Sequence, residues 1–313
     1  MFFSVKLCAS SLHLRVPLTS CRVVRFVCSF LSAEKVMKRK NFVYIIIVVL
    51  AAICCTVRWR PGSGETIYAD GQAANDSICN GETTFAAIGD YGEDGTAEEE
   101  VADRVKSWQP DYIFTLGDNN YGSGAEGTID DNIGQYYGDY IYPYYGTYDS
   151  TATENRFFPS LGNHDWRAAT DTNPYPQPYL DYFTLPGNER YYDVRRGPVH
   201  LFILDSAHQE EDGRTSDSIQ AQWLAEQMAA SNAPWKLVAM HEPPYSSGAS
   251  HGSRSDMQWD YAEMGATAVL AGHDHLYERL ERDDILYFVN GLGGRQEIDD
   301  FDAPLPSSVV RYN

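Results

Sequence analysis

Beyond residue 63 this sequence is short of cysteine, short of positive charge and without any apolar run long enough to span a bilayer. Of its six cysteines, Cys8, Cys21, Cys28, Cys54 and Cys55 come earlier, and only Cys79 follows. No disulfide can therefore close within the later part, and no thiolate zinc site can form there. Its core and any bound metals must hold it together. Fourteen Lys and Arg side chains face 43 Asp and Glu in that part, a formal net of -29 within a chain total of -20. So acidic a surface repels nucleic acid and anionic membrane faces, which excludes both as partners. It also repels anionic substrates unless a local cation source offsets the field, and a metal centre is such a source. Internal repeats are absent too, which excludes a solenoid.

What the acidic part lacks is concentrated before it. Residues 1–63 carry ten basic side chains and one acid. Lys38-Arg39-Lys40 precedes an apolar stretch at 42–57, and Arg58-Trp59-Arg60 follows it. Residues 37–60 thus read as a signal peptide or a single membrane anchor, with the amino end inside and the acidic part outside. Either way the protein is expected to be secreted or membrane-anchored, with its membrane contact confined to that segment. Residues 1–36 superficially suit a transit peptide, but Met37, directly before the basic cluster, reads as the true start. Residues 61–83 read as a linker, with a glycosylation sequon at Asn75-Asp76-Ser77. Residues 84–313 form the expected catalytic domain.

From Thr84 the pattern alternates strand, loop and helix, the mark of an α/β (α+β) chain. Short apolar strands are predicted at 85–88, 112–116, 191–195, 199–204, 235–240, 267–271 and 285–289. Helices are predicted at 97–108, 216–230 and 257–264. The seven tyrosines of 136–148 read as an aromatic wall beside the sheet, with a substrate rim as the alternative. His200 alternates with Val199 and Leu201 and reads as a packed structural histidine. Gly122 to Gly127 spells the dinucleotide fingerprint. It does not follow its strand directly, however, and Glu126 would face a pyrophosphate, so it is read as an ordinary loop.

Polar clusters close five of the apolar runs. They are Gly89-Asp90-Tyr91-Gly92, Gly117-Asp118-Asn119-Asn120-Tyr121, Gly162-Asn163-His164-Asp165, Met240-His241 and Gly272-His273-Asp274-His275. Strand ends of open α/β sheets are where chemistry is placed. Carboxylate, phenol and amide oxygens with imidazole suit iron, zinc and manganese. A shared aspartate can bridge two cations, and such a pair activates water for in-line attack on a phosphoryl group. Each cluster alone is weak, since Asp118 by itself could cap the next segment. Five in series are a strong signal.

This series resembles the calcineurin-like metallophosphoesterases, and Tyr121 narrows the resemblance to purple acid phosphatases of the small, tartrate-resistant type. It implies a β-sandwich flanked by helices, with a dinuclear metal site at the strand C-terminal ends. By that resemblance Asp90, Tyr121 and His275 bind a first metal, Fe(III). Asn163, His241 and His273 bind a second, Fe(II), Zn or Mn, and Asp118 bridges both. His164 and His251 are implied to hold the phosphate and protonate the leaving group, His251 being placed by its ten-residue distance from His241. The implied activity is acid hydrolysis of phosphate monoesters on a small phosphorylated substrate. A trivalent ion lowers the pKa of bound water further than a divalent one, which suits acidic pH. Two alternatives stay open: a phosphodiesterase or nucleotide pyrophosphatase on the same site, and a non-catalytic surface binding domain that keeps the fold. Family members usually continue past the Gly-rich turn at 291–294 with strands that complete the sandwich. Only 19 residues remain here, so a truncated end or a shortened, exposed sheet edge is expected.

Overall fold

A computed structural model describes residues 3–7, as backbone, and residues 83–313. The readings of 37–60 as a signal or anchor and of 61–82 as a linker lie outside the described residues. Among the described residues no helix is long and apolar enough to cross a membrane.

Two sheets make the frame. In the smaller, β1 (Phe3–Leu7) runs antiparallel to β2 (Thr83–Ile88), and β2, β3 (Tyr112–Thr115) and β4 (Phe157–Phe158) are mutually parallel. The larger holds β5 (Tyr192–Arg196), β6 (Val199–Ile203), β7 (Trp235–Ala239), β8 (Ala268–Ala271), β9 (Tyr277–Arg282), β10 (Ile285–Asn290) and β11 (Ser308–Tyr312), in the spatial order β11-β9-β10-β8-β7-β6-β5. Its centre, β6-β7-β8-β10, is parallel, and antiparallel strands flank it.

Successive side chains on a strand point to opposite faces, and here the two faces feed two cores. Leu201, Ile203, Leu237, Ala239 and Leu270 join Phe85, Ile113 and Phe157 of the smaller sheet in the first core. Their neighbours Phe202, Leu204, Val238, Met240 and Val269 enter the second. Both faces being apolar is why these strands read as continuous hydrophobic runs. Helix α1 (Thr96–Ser107) packs Val101, Ala102 and Val105 into the first core, with acids in its first turn and bases in its last, as the helix dipole favours. Helix α2 (Ile219–Ala230) covers the second with Ala221, Leu224 and Met228. Its start is set by Ser218, whose hydroxyl accepts from the Ala221 N–H at 3.1 Å. Ile219, the first residue of this helix, is 61% exposed.

Three other expectations change. The predicted helix at 257–264 is a short 3-10 turn, Ser255–Met257, followed by further turns. Trp259 and Tyr261 are both buried and stack at 5.7 Å, and residues two apart cannot share a helix face. β9 was not expected, because Glu278 interrupts its apolar pattern. That carboxylate is buried and accepts from the Ser247 N–H and hydroxyl at 2.6 and 2.7 Å. The tyrosine wall is split: Tyr137 packs in the first core between Tyr91 and Phe157, while Tyr142 and Tyr145 are exposed. The last residues form β11, which pairs with β9 and carries half-exposed Val309 and Tyr312.

Parallel pairing within each sheet makes β2, β3 and β4 end together, and likewise β7 and β8. His241 Nδ1 to Leu116 O at 2.7 Å and His273 N to Asp90 Oδ2 at 2.8 Å join the two sets of strand ends, so the five polar clusters converge.

Candidate metal centre

The backbone bends sharply where the side chains must turn inward. Asp90, Asp118 and His273 hold φ at 57, 54 and 73°, a left-handed region that costs non-glycine residues energy. Glycines beside them leave the necessary room. A Cβ on Gly272 would lie 2.5 Å from the Asp90 carboxylate, and one on Gly117 would strike the His241 ring at 2.5–2.6 Å.

Two groups of donors result. In the first, the Tyr121 hydroxyl lies 3.1 Å from Asp90 Oδ1 and 3.2 Å from His275 Nε2, and His275 Nε2 lies 3.4 Å from Asp90 Oδ1. In the second, His241 Nε2 is 2.9 Å from Asn163 Oδ1 and 3.0 Å from His273 Nδ1. Asp118 Oδ1 lies 3.4 Å from that same His241 nitrogen. Ligating atoms of Asp90, Asp118 and His241 all fall within 4.8 Å of one another, which joins the two groups. All seven expected ligands are thus brought together.

The tautomers bear on what belongs between them. A backbone carbonyl can only accept, so His241 Nδ1 donates to Leu116 O at 2.7 Å and His275 Nδ1 donates to Glu297 O at 3.0 Å. In the neutral rings each Nε2 is then a bare lone pair: that of His241 faces Asn163 Oδ1, Asp118 Oδ1 and His273 Nδ1, and that of His275 faces Asp90 Oδ1 and the Tyr121 hydroxyl. A cation among these atoms would satisfy several lone pairs at once. An imidazole with its far N–H fixed on a carbonyl is the usual support of a metal ligand. The donor set, buried and free of thiolates, fits two hard or borderline cations.

Electrostatics agree with a site built for positive charge. Burial alone would raise Asp90, but the nearby His241 and the His275 hydrogen bond outweigh it, so its pKa is lowered. His241 is raised despite its burial, by Asp118 and then Asp90. Burial, then Asp90 and Asp118, push the Tyr121 phenol well above its ordinary value, so a phenolate there requires a cation.

The two outer histidines are also placed here. The His164 backbone N–H donates to Asp118 Oδ1 at 2.8 Å, and its ring packs 4.4 Å from Tyr121 with Nε2 3.9 Å from Asp118 Oδ2. The His251 ring lies against His273 at 3.9 Å, and the His251 backbone N–H donates to Asp274 Oδ1 at 3.0 Å. His200 lies elsewhere, between Asp193 and Ser231 at 2.7 and 2.8 Å, as a structural histidine would.

Four supporting residues had no role assigned from sequence. Buried Asp165 accepts from Gly162 N, Asn119 N and Asn119 Nδ2, and burial plus the Asp118 charge raise its pKa to about 7. Asp274 gathers the Ser246 hydroxyl and the His251 and Gly252 N–H groups, which fixes the loop carrying His251. Arg295 stands over the Tyr121 ring, 4.5 Å from its centroid, and Arg167 Nη1 lies 2.9 Å from His164 Nδ1. Both aspartates sit inside the motifs and both arginines beside the glycine-bounded clusters. Charged neighbours of a motif were the available signal.

Known proteins resemble this chain. The chain is 29% identical over 242 residues to a phosphoenolpyruvate phosphatase of Allium cepa, covering 72% of this chain and 48% of that protein. It therefore spans about half the length of that relative. It is 26% identical over 279 residues to tartrate-resistant acid phosphatase type 5 of Homo sapiens, covering 76% and 82%. Its fold matches that of a purple acid phosphatase from yellow lupin (Lupinus luteus) seeds with a TM-score of 0.55 at 16% identity, covering 74% and 50%. The family model of the calcineurin-like phosphoesterases matches residues 83–277, more than half of the chain and every cluster described above. The chain belongs to the calcineurin-like phosphoesterases.

Proposed function

We propose that this protein hydrolyses phosphate monoesters as an acid phosphatase, using a dinuclear metal centre. One observation carries the reading: His241 and His275 each spend Nδ1–H on a backbone carbonyl and turn a bare Nε2 toward clustered oxygen donors. In this reading Asp90, Tyr121 and His275 hold a ferric ion, and Asn163, His241 and His273 hold Fe(II), Zn or Mn. Asp118 would be the ligand shared by both. When bound, two such cations supply Lewis acidity at the phosphoryl oxygens and a nucleophile drawn from water.

The remaining work falls to the chain. Asp118, fixed by the His164 N–H, sets the spacing of the two donor groups. His164 Nε2, beside the bridging carboxylate, is the atom that would hydrogen-bond a phosphoryl oxygen or pass a proton to the departing alkoxide. His251, lying on His273, would take the other of these tasks. Gly162, Gly248 and Gly272 let the buried carboxylates approach without a Cβ in the way. A catalytic domain outside the cytoplasm follows from the charge pattern around residues 37–60 and belongs to the same proposal.

Purified protein is assayed on p-nitrophenyl phosphate and on bis(p-nitrophenyl) phosphate, with metal content measured on the same sample. Two metals per chain and preference for the monoester at acidic pH are expected. Preference for the bis-ester would make the protein a phosphodiesterase. Turnover of neither ester by a metal-loaded sample would favour a binding domain that keeps the fold.

A further inference from the structure

Among cations at the centre, Arg167 differs from its neighbours. Arg295 is paired with Glu93 and Glu297, and Arg254 with Glu242. Arg167 is exposed, and among the described residues no carboxylate meets it. Its Nη1 donates to Gly122 O at 3.0 Å, beside His164 Nδ1. A guanidinium carries five N–H donors in a rigid plane. With Nη1 occupied, the Nε–Nη2 edge, the fork that grips a carboxylate or phosphate through two parallel hydrogen bonds, has no partner among the described residues. Arg167 thus stands without a carboxylate partner one imidazole away from the bridging aspartate, in a domain with 43 acids after residue 63, and its hydrogen bond to Gly122 O leaves the Nε–Nη2 fork without a use.

We infer that Arg167 is a specificity-determining residue that receives a second anionic group carried by the leaving portion of the substrate. The favoured substrates are then phosphomonoesters of alcohols that bear a carboxylate or a further phosphate. This rests on the phosphatase reading for its turnover, but not for its binding. The scissile phosphate occupies the centre, the leaving portion extends past His164, and the distal anion meets the Nε–Nη2 fork. Attraction at that point also offsets the repulsion that the acidic surface imposes on a dianionic or trianionic substrate.

The test uses benzyl phosphate and 4-carboxybenzyl phosphate, whose leaving alcohols are nearly alike, together with the non-hydrolysable benzylphosphonate and 4-carboxybenzylphosphonate for calorimetric binding. The wild type should favour the carboxylated ester by about fivefold in kcat/KM, the upper end for an exposed ion pair. It should favour the carboxylated phosphonate similarly, and both preferences should shrink as salt is raised. Arg167→Gln should bring both ratios near one, and Arg167→Lys should retain part of them. Equal losses on both esters, with the ratio kept, would show that Arg167 only positions His164 and would overturn the inference. A wild-type ratio near one would also overturn it. If neither ester is hydrolysed, the phosphatase reading fails, while the phosphonate pair still decides the role of Arg167.

Discussion

Gly162 tests the centre without removing any ligand. Its backbone is extended, at φ -116° and ψ 171°, so alanine meets no intrinsic strain there. The whole effect must come from contact. A Cβ at this position would lie 2.2 Å from Asp118 N and 2.3 Å from its Oδ1, where ordinary contact begins at 3.4 Å. Asp118 must therefore retreat by about 1 Å, a shift of the size that costs ~100-fold when it misplaces a reacting geometry. The carboxylate has little freedom to do so, since the His164 N–H holds Oδ1 and His241 stands 3.4 Å away. Overpacking of this kind costs about 1–3 kcal/mol, and a domain of this size loses roughly 2–4 °C of Tm per kcal/mol. Gly162→Ala should thus melt several degrees lower, still fold, and lose metal together with about two orders of magnitude of phosphatase rate. Gly127→Ala is the control. Nothing lies within 4 Å of its Cβ, and it sits in the short helix Glu126–Ile129, where alanine should gain up to ~1 kcal/mol and leave the rate alone. A Gly162→Ala protein with two metals and an unchanged rate would refute the placement of Asp118 between the donor groups.

Three further outcomes are expected. Asp118→Asn replaces a charged bridge with a neutral amide and should lose at least one metal and nearly all turnover; retention of both in elemental analysis and assay would remove Asp118 from the centre. Tyr121→Phe keeps the ring that packs against His164 but removes the oxygen, so an iron-loaded wild type should show a visible charge-transfer band that the variant lacks. An iron-replete wild type without such a band would exclude Tyr121 as a ligand. Glu98 is fully buried with neither carboxylate oxygen hydrogen-bonded, and burial followed by the Asp94 charge raises its pKa well above 4.5. It is then neutral when folded and ionised when unfolded, so folding takes up a proton and stability falls as pH rises past the unfolded value. Glu98→Gln should raise Tm at pH 7 and leave it unchanged below about pH 4. An equal shift at both would refute that linkage.

The larger elements were legible because their cause is local. β6, β7 and β8 bury both faces over most of their length, so they appear as apolar runs broken only by His200 and Lys236. α1 repeats its buried valines at helical spacing and places charge to suit its dipole. What was hidden depended on partners distant in sequence. Glu278 makes β9 look polar until Ser247, 31 residues earlier, is seen to saturate it. Trp259 and Tyr261 gave a helix-like composition, yet their shared burial against the second core requires an extended turn. In each case tertiary packing overrode a pattern read within one segment.

The centre divides along the same physical line. Its seven donor side chains lie within six residues of strand ends, so the parallel strands of each sheet carry them toward one place, and their residue types declare the chemistry. His251 lies twelve residues beyond β7 and reaches His273 where Asp274 holds its loop through the His251 and Gly252 N–H groups. Its loop position could be counted in the sequence, but the contact could not. Arg167 is a stronger case. It donates to a backbone carbonyl, Gly122 O, 45 residues away, and a carbonyl leaves no residue-type signature at all. Ligands that bind through their own side-chain chemistry announce themselves in sequence. Side chains that a distant main chain orients toward a substrate do not, and in this fold those are the residues that would distinguish one phosphoester from another.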